Sequence, residues 1–149
     1  MPHWIIAQDG EVELRAIYDR HYSCYHYRDG RKAIKFVGPG ENIVLTTPTR
    51  TALFAWRKFI DDSGQEGVNC AVYRKETGGI LSSNLIREAD AIADFCWPGE
   101  RHYTYVRAAA VASGNPGYCF ICAGWSRCGT TDSGLVILER SHRKRTASG

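Results

Sequence analysis

No stretch of these 149 residues approaches the ~20 consecutive apolar positions that a membrane-spanning helix requires, so no membrane partner is expected. The opening residues, Met1 to Asp9, lack the basic flank and extended apolar core of a secretory signal, which makes the cytoplasm the expected address. There is no internal repeat and no domain boundary. One domain is expected over 1–139, followed by a basic, disordered tail over 140–149 that carries Arg140, Arg143, Lys144 and Arg145. Charge of one sign is not in large excess either, since 19 Lys and Arg against 16 Asp and Glu leave only +3.

What is present is the composition of an ordinary globular chain: 44% hydrophobic and 23% charged residues exclude a disordered polymer and allow one substantial core. The six cysteines come with no other sign of secretion and are read as reduced thiols. Cys119 and Cys122 form a Cys-x-x-Cys pair with Cys128 and His142 downstream. Structural zinc normally uses two such pairs at set spacing, and this pair falls on a predicted helix, so the thiols read as small buried hydrophobes and no metal is expected.

Along the chain, Trp4 to Ala7 is an apolar run closed by Asp9-Gly10 and predicts a first strand. Leu14, Ile17, Tyr18 and Tyr22 recur at helical spacing, and an irregular segment follows as far as Gly38-Pro39-Gly40. Three strands are predicted at Asn42–Thr46, Ala52–Phe59 and Val68–Arg74, forming an antiparallel meander. Ser82, Ser83 and Asn84 are competent caps for a helix whose Leu85, Ile86, Ala89, Ile92, Ala93 and Cys96 repeat every three or four residues, with Pro98-Gly99 as its stop. A Tyr- and Thr-rich strand spans His102–Val106. Pro116 opens a short helix that runs to Ala123 and ends at Gly124, and strands at Trp125–Cys128 and Leu135–Leu138 close the chain. The fold class is α/β, a mixed sheet of about seven strands flanked by helices.

Two constellations carry chemistry. Tyr22, Tyr25 and Tyr27, with His21, Ser23 and His26, interleave with Arg20, Arg28, Arg31, Lys32 and Lys35. Aromatic faces stack bases at about 1–3 kcal/mol each and cations neutralise phosphates, a combination suited to a single-stranded or extruded base; the other reading is a polar loop with its tyrosines folded onto the core. In Ala55-Trp56-Arg57-Lys58-Phe59 alternation sets Arg57 opposite Trp56, one face being core, and Arg57 is either a substrate contact or a side chain snorkelling at a cleft edge.

The order of elements resembles the GNAT transferase superfamily over nearly the whole chain. The resemblance implies an anionic acyl-CoA cofactor, acetyl-CoA or a relative, at the turn after the fourth strand. Here that turn runs from Arg74 through Gly78-Gly79 to Ser82 and Ser83, where free amides and a helix dipole favour anions. Asn115-Pro116-Gly117-Tyr118, with Ala123-Gly124-Trp125, resembles the last GNAT helix. That implies a cofactor contact from Asn115 and proton donation to a departing thiolate by Tyr118, which otherwise reads as an amphipathic core tyrosine.

Within the superfamily, His21-Tyr22-Ser23, Tyr103-Thr104-Tyr105 and Asn115–Trp125 are similar to phage DNA-modification proteins of the Mom type, which act on the exocyclic amine of adenine. That likeness implies a DNA partner, a host-cell cytoplasm and catalytic roles for His21, Ser23 and Tyr105, with Arg107 where an aspartate commonly closes the fifth strand. The sequence leaves two other readings open. One is an acetyl-CoA-dependent N-acetyltransferase acting on a protein or small-molecule amine, and the other is a non-catalytic relative that binds DNA or a host protein.

Overall fold

The computed structural model describes residues 3–7, 16–17, 41–58, 65–76, 80–107 and 117–141. Within them lie β1 (Ile5–Ala7), β2 (Glu41–Thr46), β3 (Ala52–Lys58), β4 (Val68–Lys75), α1 (Ser82–Cys96), β5 (His102–Val106), α2 (Tyr118–Cys122), β6 (Ser126–Thr130) and β7 (Val136–Arg140), and Ala16 and Ile17 are also helical. The class is α/β, with all seven strands in one mixed sheet of order β1-β2-β3-β4-β5-β7-β6. Every neighbouring pair is antiparallel except β4–β5, which is parallel. A parallel pair cannot be joined by a tight turn, and α1 supplies the crossover. Among the described residues no helix is long and apolar enough to cross a membrane.

Alternation along β3 serves two cores at once. Phe54 and Trp56 pack with Leu85, Ile86, Ala89 and Ala93 of α1, while Leu53 and Ala55 pack with Ile17, Val44 and Val72 on the opposite face. The sequence reading had only one face of this strand in the core. Both are, because helical residues lie on either side of the central strands. Between Ala55 and Trp56 the partner in β4 jumps from Val72 to Cys70, so Ala71 is an extra residue, a β-bulge.

α1 buries Leu85, Ile86, Ala89, Asp90 and Ala93, a stripe at helical spacing that includes one carboxylate. Its start differs from the sequence expectation. The N-cap is the extended Leu81, and Ser82 and Ser83 stand inside the first turn with no side-chain cap. Ser82 Oγ is engaged elsewhere, accepting the Tyr73 hydroxyl at 2.7 Å. At the other end Gly99, at φ +79°, turns the chain out of the helix as the Pro-Gly pair predicts.

Indole N–H groups fasten the sheet to α1. Trp4 donates to the Leu85 carbonyl at 2.7 Å and Trp56 to the Ala89 carbonyl at 2.9 Å. Trp125, just after α2, donates to Asp90 Oδ2 at 2.9 Å, and Asp90 Oδ1 accepts from Nδ1 of the fully buried His102 at 2.7 Å. Asp94 lies 3.2 Å from His102 Nε2 and 3.2 Å from Nη1 of Arg140. Arg140, expected to begin the tail, instead closes β7.

Candidate functional site: the parting of β4 and β5

β4 and β5 pair at two positions only, Val68 with His102 and Asn69 with Tyr103. Past that point a side chain takes over from the backbone ladder, Thr104 Oγ1 donating to the Cys70 carbonyl at 2.9 Å. β4 then continues to Lys75 and β5 to Val106 with no further register pair between them. The strands therefore form a fork whose vertex is the Asn69–Tyr103 step.

On the helix face of the fork, α1 begins beside the end of β4. Tyr73 reaches Ser82, and Lys75 Nζ donates to the Ile80 carbonyl at 2.7 Å. Tyr73 also meets Phe120 of α2 edge-on at 6.1 Å. Burial pushes the Tyr73 phenol above its ordinary range, only partly offset by its bond to Ser82. Burial likewise raises the thiols of Cys70 and Cys119, so these groups hold their protons at neutral pH. The first turn of α1 has neither a side-chain cap nor an acidic residue, which leaves its leading amides and the positive end of its dipole suited to an anion.

The sequence candidates divide between the two faces of the sheet. Ser82 and Ser83 open α1 on the helix face. Arg74 pairs in register with Leu53, on the opposite face, where its Nε is bound to Glu76 Oε2 at 2.9 Å. Arg57 and Tyr105 also lie on that opposite face, both half-buried, with Tyr105 set edge-on to Tyr103 at 5.8 Å. Tyr118 sits on α2 with 61% of its surface exposed, and its phenol is raised by a hydrogen bond with the Cys122 thiol. Tyr118 and Tyr105 are thus not brought together. His21, Tyr22, Ser23, Tyr25, Tyr27, Arg28, Arg31, Lys32 and Lys35 lie outside the described residues, as do Gly78, Gly79 and Asn115.

Two residues at the fork escaped the sequence reading. Tyr73 was hidden because one phenol in an apolar strand reads as packing. Asn69 carried a signal that went unused: an amide between Val68 and Cys70 in a central strand has to be accounted for by a partner. In register it stands between Arg57 of β3 and Tyr103 of β5, and it is buried. Its Oδ1 is shut off from solvent and accepts no hydrogen bond. Among the described residues no group of three His, Cys, Asp or Glu side chains is placed to hold a metal ion. Compared with known protein-family models and with curated protein sequences, the chain matches none.

Proposed function

We propose that this chain is a GNAT-fold transferase that moves an acyl or related group from an anionic, acyl-CoA-like donor to an amine of a nucleic-acid base. One observation carries the reading: the only parallel strand pair in the described sheet parts after two residue pairs, and it does so beside the uncapped start of the helix joining the two strands. A gap between parting strands admits an extended ligand arm between backbone groups, and a helix start accepts its phosphates.

The residues present fit such a donor. The leading amides of α1 at Ser82 and Ser83 would hold its phosphates, with no carboxylate in that turn to repel them. Bound there, the donor supplies an activated acyl group. Two phenols on the helix face, Tyr73 and Tyr118, are both raised above the ordinary tyrosine value and so remain protonated at neutral pH, the state a general acid requires. The nucleic-acid half of the proposal rests on the sequence, where the basic and aromatic residues between Arg20 and Lys35 combine stacking faces with phosphate-neutralising cations.

Calorimetric titration with acetyl-CoA and with CoA tests the donor half, and mass spectrometry of nucleosides from DNA incubated with protein and donor tests the acceptor half. Micromolar to millimolar binding together with a mass-shifted nucleoside is expected. Absence of binding to either compound removes the acyl-CoA donor. Binding with unmodified DNA moves the acceptor to a protein or small-molecule amine.

A further inference from the structure

The sequence makes Cys119 and Cys122 small buried hydrophobes, yet the structure seals neither thiol in the core: Cys119 is half-buried, Cys122 is exposed, and both are reduced. They stand three residues apart on α2, so one helical turn puts them on the same side with Cα atoms ~5 Å apart. That separation lies inside the window of roughly 4.4–6.8 Å that a disulfide spans. The turn itself is held by bonds that involve neither sulfur. Phe120 N–H donates to the Gly117 carbonyl at 2.8 Å, Ala123 N–H to the Cys119 carbonyl at 3.1 Å, and Arg87 Nη2 of α1 to the Cys122 carbonyl at 2.7 Å. Between the two cysteines the Phe120 ring is buried against Trp125 at 4.8 Å. The backbone is thus fixed at a bridging distance while each sulfur keeps its rotation about χ1. Tyr118 shares this side of α2, its phenol hydrogen-bonded to the Cys122 thiol. The other described cysteines, Cys70, Cys96 and Cys128, stand on β4, at the last residue of α1 and on β6.

We infer that Cys119 and Cys122 are a modification site that closes into a reversible disulfide and thereby breaks the hydrogen bond between Cys122 and Tyr118. The disulfide stands on the geometry of α2, whereas its bearing on turnover rests on the transferase reading, in which Tyr118 is a proton donor. The co-reactant is a small disulfide of the glutathione class. The exposed Cys122 thiolate attacks one of its sulfurs, the bond between those sulfurs breaks, and one small thiolate leaves. The Cys119 thiolate then attacks the Cys122 sulfur of the mixed disulfide, the protein disulfide forms, and the second small thiolate leaves. Two protein thiols are oxidised, one small disulfide is reduced to two thiols, and the two protons pass to the leaving groups. Access sets the order of attack, since Cys122 faces solvent and burial raises the Cys119 thiol above its ordinary range. In the product the Cys122 sulfur is drawn over Cys119, and the phenol of Tyr118 loses the partner that holds it above its ordinary range.

The test exposes the folded full-length chain to excess glutathione disulfide, quenches it with acid and N-ethylmaleimide, and maps the cysteine peptides by mass spectrometry. A peptide carrying Cys119 and Cys122 that is two hydrogens lighter, and restored by dithiothreitol, is expected. Cys119→Ser should stop at a glutathione adduct on Cys122, and Cys122→Ser should leave Cys119 unmodified over the same interval. Titration of phenolate absorbance should show one tyrosine moving to lower pKa on oxidation, a change absent from Tyr118→Phe.

A stable glutathione adduct on wild-type Cys122, or a bond from either residue to another cysteine, overturns the pairing. So does a disulfide that forms only after unfolding in urea, since it would owe nothing to the helical turn. An unchanged phenolate titration in the oxidised protein overturns the link to Tyr118. None of these readouts uses turnover, so their failure is distinct from failure of the transferase reading.

Discussion

Replacing Asp90 by alanine tests the polar cluster that joins α1 to β5, α2 and β7. The carboxylate is 3% exposed and accepts from two buried donors, His102 Nδ1 at 2.7 Å and Trp125 Nε1 at 2.9 Å. Asp90→Ala leaves both without an acceptor, and an orphaned buried donor costs about 1–3 kcal/mol. Arg140 Nε, 3.9 Å from Oδ2, loses a weaker attraction. Taken near the middle of that range, the two donors together come to about 3–5 kcal/mol. For a chain of this length about 2–4 °C of melting temperature accompanies each kcal/mol, so a drop of roughly 6–20 °C is expected. Asp90→Asn is the control. It keeps the shape and one acceptor oxygen and should cost about half as much. Urea unfolding of the three proteins measures the difference. A loss below about 1 kcal/mol for Asp90→Ala would show that the two donors find other acceptors, and would refute the claim that this carboxylate ties the elements together.

Glycine conformation and alkaline titration are two further places where this structure can be tested. Gly117 is in the left-handed region at φ +74°, and a Cβ there would clash with Leu138 Cδ1, whereas Gly124, at φ +103°, has open space. Gly124→Ala should therefore cost about 1 kcal/mol from backbone strain alone, and Gly117→Ala clearly more in the same urea titration. In alkali, Cys70 and Tyr73 have pKa values raised by burial above their ordinary 9.0 and 10.0, so the unfolded chain loses these protons first. Stability is then complete at neutral pH and falls as pH rises past about 9, by at most about 1.4 kcal/mol per pH unit for each group. Cys70→Val should make that fall shallower in unfolding free energies measured between pH 8 and pH 10.5, and an unchanged slope would exclude the thiol as its source.

The fold was largely legible because its elements follow their periods. His102–Val106 was expected as a strand and is β5 with the same bounds, and the apolar repeat from Leu85 onward gave α1. What the periods could not show is which polar residues the elements turn inward. Asp90 lies in the apolar stripe of α1, but a carboxylate in a helix reads as solvent-facing until His102 and Trp125, from two other elements, are known to meet it. Local propensity misled at Ser82, a good cap by residue type whose hydroxyl is taken by Tyr73 of the neighbouring strand. The candidate site was legible only in part. Ser82 and Ser83 do lie at the start of α1, whereas Arg57, Arg74 and Tyr105 lie on the far face of the sheet, a distinction that depends on register rather than on residue type.

The extra residue in β4 has a consequence for how this strand is inherited. With Ala71 counted as an ordinary ladder residue, strict alternation would give Asn69 and Tyr73 the same side, and Cys70 the same side as Val72. The bulge resets the count, so Asn69 shares a side with Val72 and Cys70 shares one with Tyr73. The strand therefore behaves as two short words separated by a spacer, each read in its own frame. Substitutions on either side of Ala71 preserve that punctuation. Drawing Ala71 into the ladder would exchange the contents of the two faces in one of the words, carrying either the carboxamide or the phenol through the sheet to the wrong side, whereas its deletion would remove the bulge and leave both faces as they are. Sequence comparison across relatives of this chain should accordingly allow a one-residue gap at position 71, because the two halves of the strand keep their facing with the bulged residue or without it.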